Sequence, residues 1–266
     1  YSAVRERSVG LGVMGFHSFL QGKNVPLESA VAKSWNLRMF RHIKDAADTA
    51  SNILAKERGA CPDAADFGIQ ERFSNKIAIA PTASISIICG GASPGIEPSA
   101  ANSFTQKTLS GSFTVRNKYL TKLLADKGHD DDVTWSSIVA NEGSVQHLDF
   151  LSESEKLVFK TAFEVDQRWL VELAADRTPY VCQSQSLNLF LPADVHKRDL
   201  HKIHFSAWEK GLKSLYYCRS KSIQRADVVA NMGTSSSVSV PVLGAVNAQE
   251  GPQEEAIDYD ECLACQ

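Results

Sequence analysis

Strand-like runs at 77–80, 182–191 and 214–220 alternate with stretches of helical periodicity. That alternation constrains the fold more than any other feature of the chain. Strands joined through helices pair in parallel, because the crossover returns the chain to the same end of the sheet. With a short strand entering near Arg7, four or five strands fit. A closed α/β barrel of the smaller kind needs about eight. An open half would leave raw edges, so a second segment or chain is expected to complete the sheet. The expected class is α/β with largely parallel pairing.

Val31, Trp35, Met39, Ile43, Ala46, Ala50 and Ile53 recur at spacings of three and four, which predicts a long helix over 27–58. Gly59 closes it and Pro62 follows. Another helix is predicted over 113–127, ending at Gly128. Ser152 and Glu155 form a capping box that opens a helix running to Ala175, where Thr178 and Pro179 stop it. Pro192, Ala193 and Asp194 lead into a last helix over 195–211. His201 and His204 share a face of that helix without a third ligand in reach, and read as ordinary helix histidines. His129 and the carboxylates Asp130, Asp131 and Asp132 read as a solvated loop, since consecutive carboxylates rarely converge on one ion.

Hydrophobic residues make up 43% of the 266 and charged residues 22%, which excludes disorder over the whole chain. No apolar run approaches the ~20 residues of a membrane helix, and the charged stretch from Tyr1 to Arg7 is not expected to be a signal peptide. Neither a membrane nor nucleic acid is an expected partner. The chain starts at Tyr1 rather than a methionine, and is expected to be a fragment, a processed piece or part of a split protein. The formal net charge of −3 hides an asymmetry. Every basic residue lies at or before Arg225, and seven acids lie beyond it, from Asp227 to Glu261. A mildly positive body suits small anions better than duplex DNA, which demands a dense basic stripe. Residues 1–230 are expected to form the folded body and 231–266 a flexible acidic tail.

Of the six cysteines, Cys61, Cys89, Cys182 and Cys218 stand singly among apolar residues and are expected to be small buried thiols. Cys262 and Cys265 form a Cys-x-x-Cys pair at the end of the acidic stretch. One such pair cannot enclose zinc, but its spacing suits a reversible disulfide; a chance pair on a frayed end is the alternative. Gly10, Gly12 and Gly15 match the dinucleotide fingerprint nominally. No apolar strand precedes them, so close packing at a helix start accounts for them better. The stretch 77–95 places Pro81, Thr82, Ala83 and Ser84 between two apolar runs, with a glycine-rich exit. Hydroxyls and backbone N–H groups there could meet an anion. A capped turn between two elements is the plainer reading.

Seven motifs, in order, carry a resemblance: Arg7-Ser-Val-Gly-Leu-Gly-Val-Met-Gly15, Ala55-Lys-Glu-Arg-Gly59, Ala80-Pro-Thr-Ala-Ser84, Gly95-Ile-Glu-Pro98, Gln183-Ser-Gln-Ser-Leu-Asn188, Leu215-Tyr-Tyr217 and Glu261-Cys-Leu-Ala-Cys265. Together they resemble the C-terminal part of the large, catalytic subunit of class I ribonucleotide reductase. The resemblance implies the second half of a ten-stranded α/β barrel, about five mostly parallel strands with helices, followed by the flexible tail. It implies that Pro81, Thr82, Ala83, Ser84 and Ile85 hold the substrate diphosphate. Tyr216 and Tyr217 would relay an oxidising equivalent; if both rings serve one path, the strand should be distorted there, since neighbours on a regular strand face opposite sides. Cys262 and Cys265 would form the dithiol shuttle, reduced in turn by thioredoxin or glutaredoxin.

The implied reaction is the radical reduction of ribonucleoside diphosphates to 2′-deoxyribonucleoside diphosphates, in the cytoplasm. This chain would bind no cofactor itself. The radical, of diiron-tyrosyl type, would reside in a partner small subunit. The N-terminal part of the catalytic subunit would supply the reacting cysteines, and without it the chain would be inactive. Two other readings are a half-barrel that only docks, and a nicotinamide-dependent oxidoreductase resting on Gly10, Gly12 and Gly15.

Overall fold

Four segments of the chain lie side by side in sequence order, all parallel: Leu11 bridges Ile77, Ile79 bridges Gln185, and Leu189–Leu191 pairs with Cys218–Ser220. The computed structural model that shows this describes residues 1–108 and 111–220. The body–tail boundary at 231, Cys262 and Cys265 lie outside the described residues. The elements in chain order are α1 (Ser2–Glu6), α2 (Phe16–Gly22), α3 (Ala30–Arg58), α4 (Pro62–Ala65), α5 (Ala83–Ile88), β1 (Ser103–Thr108), β2 (Gly111–Arg116), α6 (Lys118–Asp126), α7 (Asp132–Ala140), α8 (Glu153–Val158), α9 (Gln167–Arg177), β3 (Leu189–Leu191), α10 (Lys197–Glu209) and β4 (Cys218–Ser220).

The expectation of about five mostly parallel strands needs correction. Among the described residues there are two two-stranded sheets, β1–β2 antiparallel and β3–β4 parallel, and the other parallel contacts are single bridges. Local chemistry explains the raggedness. The N–H groups of Lys76 and Ile77 both turn to Cys182 Sγ, at 3.1 Å each, instead of a carbonyl. Pro81, just beyond the second segment, has no N–H to give.

Three helix expectations also shift. The hairpin β1–β2 takes up the start of the helix predicted over 113–127; Asn117 Oδ1 accepts from the N–H groups of Tyr119 and Leu120, and the helix begins only there, as α6. The capping box of Ser152 and Glu155 is present, but α8 ends at Val158. A second cap, Asp166 accepting from the Arg168 N–H, opens α9, so one predicted helix is two. The last helix, α10, spans less than the predicted 195–211 and is capped by His196.

α3 forms where predicted, with Ser29 Oγ capping the Ala32 N–H and Gly59 ending it at φ +82°. Its buried face only partly follows the predicted stripe: Trp35, Met39 and Ile43 pack half-buried against the main core. Val31 and Ile53 are exposed, while Ala32, Asn36, Phe40, Ser51 and Ala55 are buried. Polar residues occupy that face because each has a partner. Asn36 Nδ2 donates to the Leu173 carbonyl of α9 at 2.8 Å, and Asn36 Oδ1 accepts from Arg177 Nε at 2.9 Å. The buried Arg177 guanidinium lies 5.2 Å from the Phe16 ring and 5.2 Å from the Phe40 ring. Burial lowers its pKa to about 9, so it remains charged at neutral pH. This contact fastens α2, α3 and α9 over the parallel segments, whose Ile77, Ile79 and Leu187 complete the main core. Each such aliphatic burial stabilises by about 1.5–3 kcal/mol. A second cluster forms between α6, α7 and α8, around Leu120, Leu124, Trp135 and Ile138.

His17 of α2 is buried, and its Nδ1 accepts from the Ser99 N–H at 3.2 Å. Burial lowers its pKa from 6.5 to about 4. The folded state therefore holds a neutral imidazole, and the unfolded state takes up the proton first. Above pH 6.5 the group contributes nothing to the pH dependence. As pH falls from there toward about 4, stability is expected to decline, by at most about 3 kcal/mol. His17→Asn keeps an acceptor for Ser99 and removes the titration. Its thermal midpoint, followed against pH, should flatten in that window; an unchanged slope would refute the assignment.

Candidate functional site

The segment after Ile79 leaves the sheet at Ala80 and Pro81 and enters α5 through Thr82, which takes a left-handed conformation at φ +53°. The Thr82 carbonyl accepts from the Ser86 N–H at 2.9 Å, and its Oγ1 accepts from the Gly95 N–H at 2.8 Å. Thr82 makes no side-chain cap, and Ser84 and Ile85 of the first turn are exposed. Gly95 has φ +45°, and a Cβ there would stand 3.0 Å from the Ala80 carbonyl oxygen. The loop is thus closed by backbone contact between its two ends.

The other end of this clamp is the start of α2. Gly15 and Phe16 N–H groups donate to the Ser93 and Gly95 carbonyls, and Ser18 and Ser93 exchange N–H···Oγ bonds at 3.1 and 2.8 Å. The N–H groups that a dinucleotide pyrophosphate would need at this helix start are taken by the chain's own loop. A Cβ at Gly12 would lie 2.9 Å from the Ala78 carbonyl oxygen. Gly12 serves close strand packing, and the motif offers the nicotinamide reading no support.

Tyr216 and Tyr217 lie just ahead of β4, partly exposed, with ring centroids 4.2 Å apart and planes at 51°. Their backbone departs from a regular ladder. The Tyr216 N–H donates to the Leu187 carbonyl, yet the Leu189 N–H donates to the Tyr217 carbonyl rather than that of Tyr216, each at 2.9 Å. Two residues therefore fill one ladder position, which is a bulge. Adjacent residues of a regular strand point to opposite faces; the bulge is why these two rings meet. The displaced Tyr217 N–H donates to Asn188 Oδ1 at 3.0 Å. Asn188 is held by Glu97: its own N–H donates to Oε1 at 2.7 Å and its Nδ2 to Oε2 at 3.1 Å. Both residues are 3% exposed. Burial pushes the Glu97 carboxyl above its ordinary value, while the two Asn188 donations and the charge of Arg219 pull it back.

Among the described cysteines only Cys61 is buried; Cys89, Cys182 and Cys218 are exposed, contrary to the expectation of four buried thiols. At Cys182 the reason is visible, since its sulfur serves as a backbone acceptor at the sheet margin. Burial of part of the Cys218 side chain raises its thiol pKa. His201 and His204 are exposed on α10, and no three His, Cys, Asp or Glu side chains converge as a metal site among the described residues. No helix among them is long and apolar enough to cross a membrane.

The sequence model of the family described as ribonucleotide reductase, barrel domain, matches residues 1–67 and 63–218. The chain belongs to that family. It is 48% identical over 241 residues to the ribonucleoside-diphosphate reductase large subunit of Invertebrate iridescent virus 6, covering 89% of this chain and 25% of the relative. It is 45% identical over 239 residues to that of Invertebrate iridescent virus 3, covering 89% and 38%. The solved structure of the Actinobacillus ureae class Id ribonucleotide reductase alpha subunit superposes with a TM-score of 0.76 at 39% identity, covering 83% of this chain and 40% of that one. The chain thus spans well under half the length of these relatives.

Pro81 to Ile85, read from the sequence as a loop, follow the second of the four parallel segments of this reductase barrel domain, and Tyr216 and Tyr217 lead into the fourth. Sequence reasoning assigned nothing to Glu97 beyond its place in a motif. The available signal was a carboxylate between Ile96 and Pro98 in an otherwise apolar stretch.

Proposed function

We propose that this chain supplies part of the catalytic barrel of a ribonucleoside-diphosphate reductase, as the second half of a ten-stranded barrel completed by the N-terminal part of the subunit. The reaction exchanges the ribose 2′-hydroxyl for hydrogen; water leaves, and a dithiol is oxidised to a disulfide. The observation that carries this reading is the close, tilted tyrosine pair on its bulge, at a position where the family resemblance calls for a relay. A phenol can lose an electron and a proton together, and its ordinary pKa near 10 keeps it protonated at rest. The oxidising equivalent comes from a radical cofactor of diiron-tyrosyl type in the small-subunit partner.

Pro81, Thr82, Ala83, Ser84 and Ile85 receive the substrate diphosphate. The first-turn N–H groups of a helix lack intrahelical acceptors, and an anion at that end is favoured by the peptide dipoles. Thr82 Oγ1 already accepts from Gly95, which leaves its O–H to turn toward a phosphate oxygen. Cys262 and Cys265, on the acidic segment, carry electrons inward by thiol–disulfide exchange and are reduced by thioredoxin or glutaredoxin.

The test is reduction of a ribonucleoside diphosphate by this chain mixed with the remaining part of a large subunit and a radical-bearing small subunit, each omitted in turn. Activity is expected only in the full mixture. Activity undiminished without this chain would overturn the proposal and leave a docking module.

A further inference from the structure

We propose that Glu97 and Asn188 are positioning residues for the tyrosine pair: together they hold the bulge that keeps the rings of Tyr216 and Tyr217 against each other. The inference rests on the reading that this pair relays an oxidising equivalent, and adds the device that sets its geometry.

A bulge strips one N–H from the ladder, and a backbone donor left without a partner costs about as much as a lost hydrogen bond. Here the stripped donor is the Tyr217 N–H, and Asn188 Oδ1 takes it. An asparagine amide can serve this way only in one orientation. Turned over, it would set Nδ2 against the Tyr217 N–H, donor against donor. Glu97 fixes the orientation by accepting at once from the Asn188 backbone N–H and from Nδ2. That grip needs two acceptor oxygens and no donor, which among side chains only an ionised carboxylate provides.

A buried carboxylate is expensive, and an apolar residue at 97 would fill the same space more cheaply. Its retention in a 3% exposed position is intelligible if the amide it holds has a task. Asn188 approaches it from the segment before β3, and Arg219 of β4 supplies the opposing charge. His17 of α2, which accepts from the Ser99 N–H two residues along from Glu97, is kept neutral by its own burial.

The test uses the assembled reductase with the full chain, carrying fluorotyrosine at position 216, whose fluorine resonance reports the neighbouring ring. Glu97→Gln and Asn188→Ala are expected to shift that resonance and to lower kcat by about 10²-fold, the scale of a misplacement near 1 Å, with KM for the diphosphate unchanged. Asn188→Asp keeps an oxygen for the Tyr217 N–H but sets two carboxyls together. They can share one proton, so this variant should recover turnover and the parental resonance as pH falls and lose both as pH rises. A misfolded variant would show no such recovery. A parental resonance and parental kcat in Asn188→Ala would overturn the proposal, as would a pH-independent defect in Asn188→Asp. If the resonance moves while kcat stays parental in these variants and in Tyr217→Phe, the clamp stands and the relay reading falls.

Discussion

Turnover by the assembled reductase is expected to drop to background when Tyr217 is replaced by phenylalanine, while KM for the diphosphate stays at the parental value. The substitution is chosen because so little else changes. The ring remains against that of Tyr216 at the bulge, and the backbone bonds of residue 217 to Asn188 and Leu189 do not involve the phenol. What disappears is one O–H and with it the capacity to be oxidised near neutral pH. Loss of a hydrogen bond alone is worth about 1–3 kcal/mol, which is about tenfold to a hundredfold in rate. A fall well beyond that range is the signature of a broken relay, and measuring deoxynucleoside diphosphate formation decides between the two. A variant retaining a tenth of parental turnover would sink the relay.

The parts of this fold that were legible in the sequence are those set by local chemistry. Gly59 ends α3 where expected, and the capping box of Ser152 and Glu155 is real because it satisfies helix-end N–H groups within a few residues of itself. Parallel order was legible from helix–strand alternation. What stayed hidden depends on partners distant in the chain. The buried face of α3 centres on Asn36 and Phe40 because Arg177, far along the chain, meets both; counting apolar residues on one helix finds Trp35, Met39 and Ile43 at its margin and misses its polar centre. The hairpin over β1 and β2 was missed because Phe113 and Val115 read equally as the first turn of α6 until cross-strand pairing is known. The site divides in the same way. Thr82 and the tyrosines stand in recognisable motifs. The bulge that brings the tyrosines together depends on Glu97, which lies about ninety positions away from Asn188 in sequence and only one hydrogen bond away in space. Such a contact leaves no periodicity to read.

Gly95→Ala is expected to raise KM for the diphosphate by about 10- to 100-fold, the equivalent of one or two charge-assisted hydrogen bonds to the anion. Two costs coincide at this position. An alanine at φ +45° is strained by about 1–2 kcal/mol. Its Cβ also meets the Ala80 and Pro81 carbonyl oxygens at 3.0 and 3.4 Å, and backbone atoms, unlike the end of a long side chain, cannot swing away. Overpacking of that kind costs about 1–3 kcal/mol more. The relief open to the chain is to part Gly95 from Ala80. That releases Thr82 Oγ1 from the Gly95 N–H and displaces the entry to α5. Gly59→Ala supplies the comparison. Gly59 has φ +82° with nothing within 4 Å of a built Cβ, so alanine there adds strain without a clash, at the end of α3. Both variants should melt at lower temperature, but only Gly95→Ala should weaken substrate binding. Equal KM values in the two would mean that closure of the loop on Gly95 does not aim it at the diphosphate, and the assignment of Pro81 through Ile85 would have to be given up.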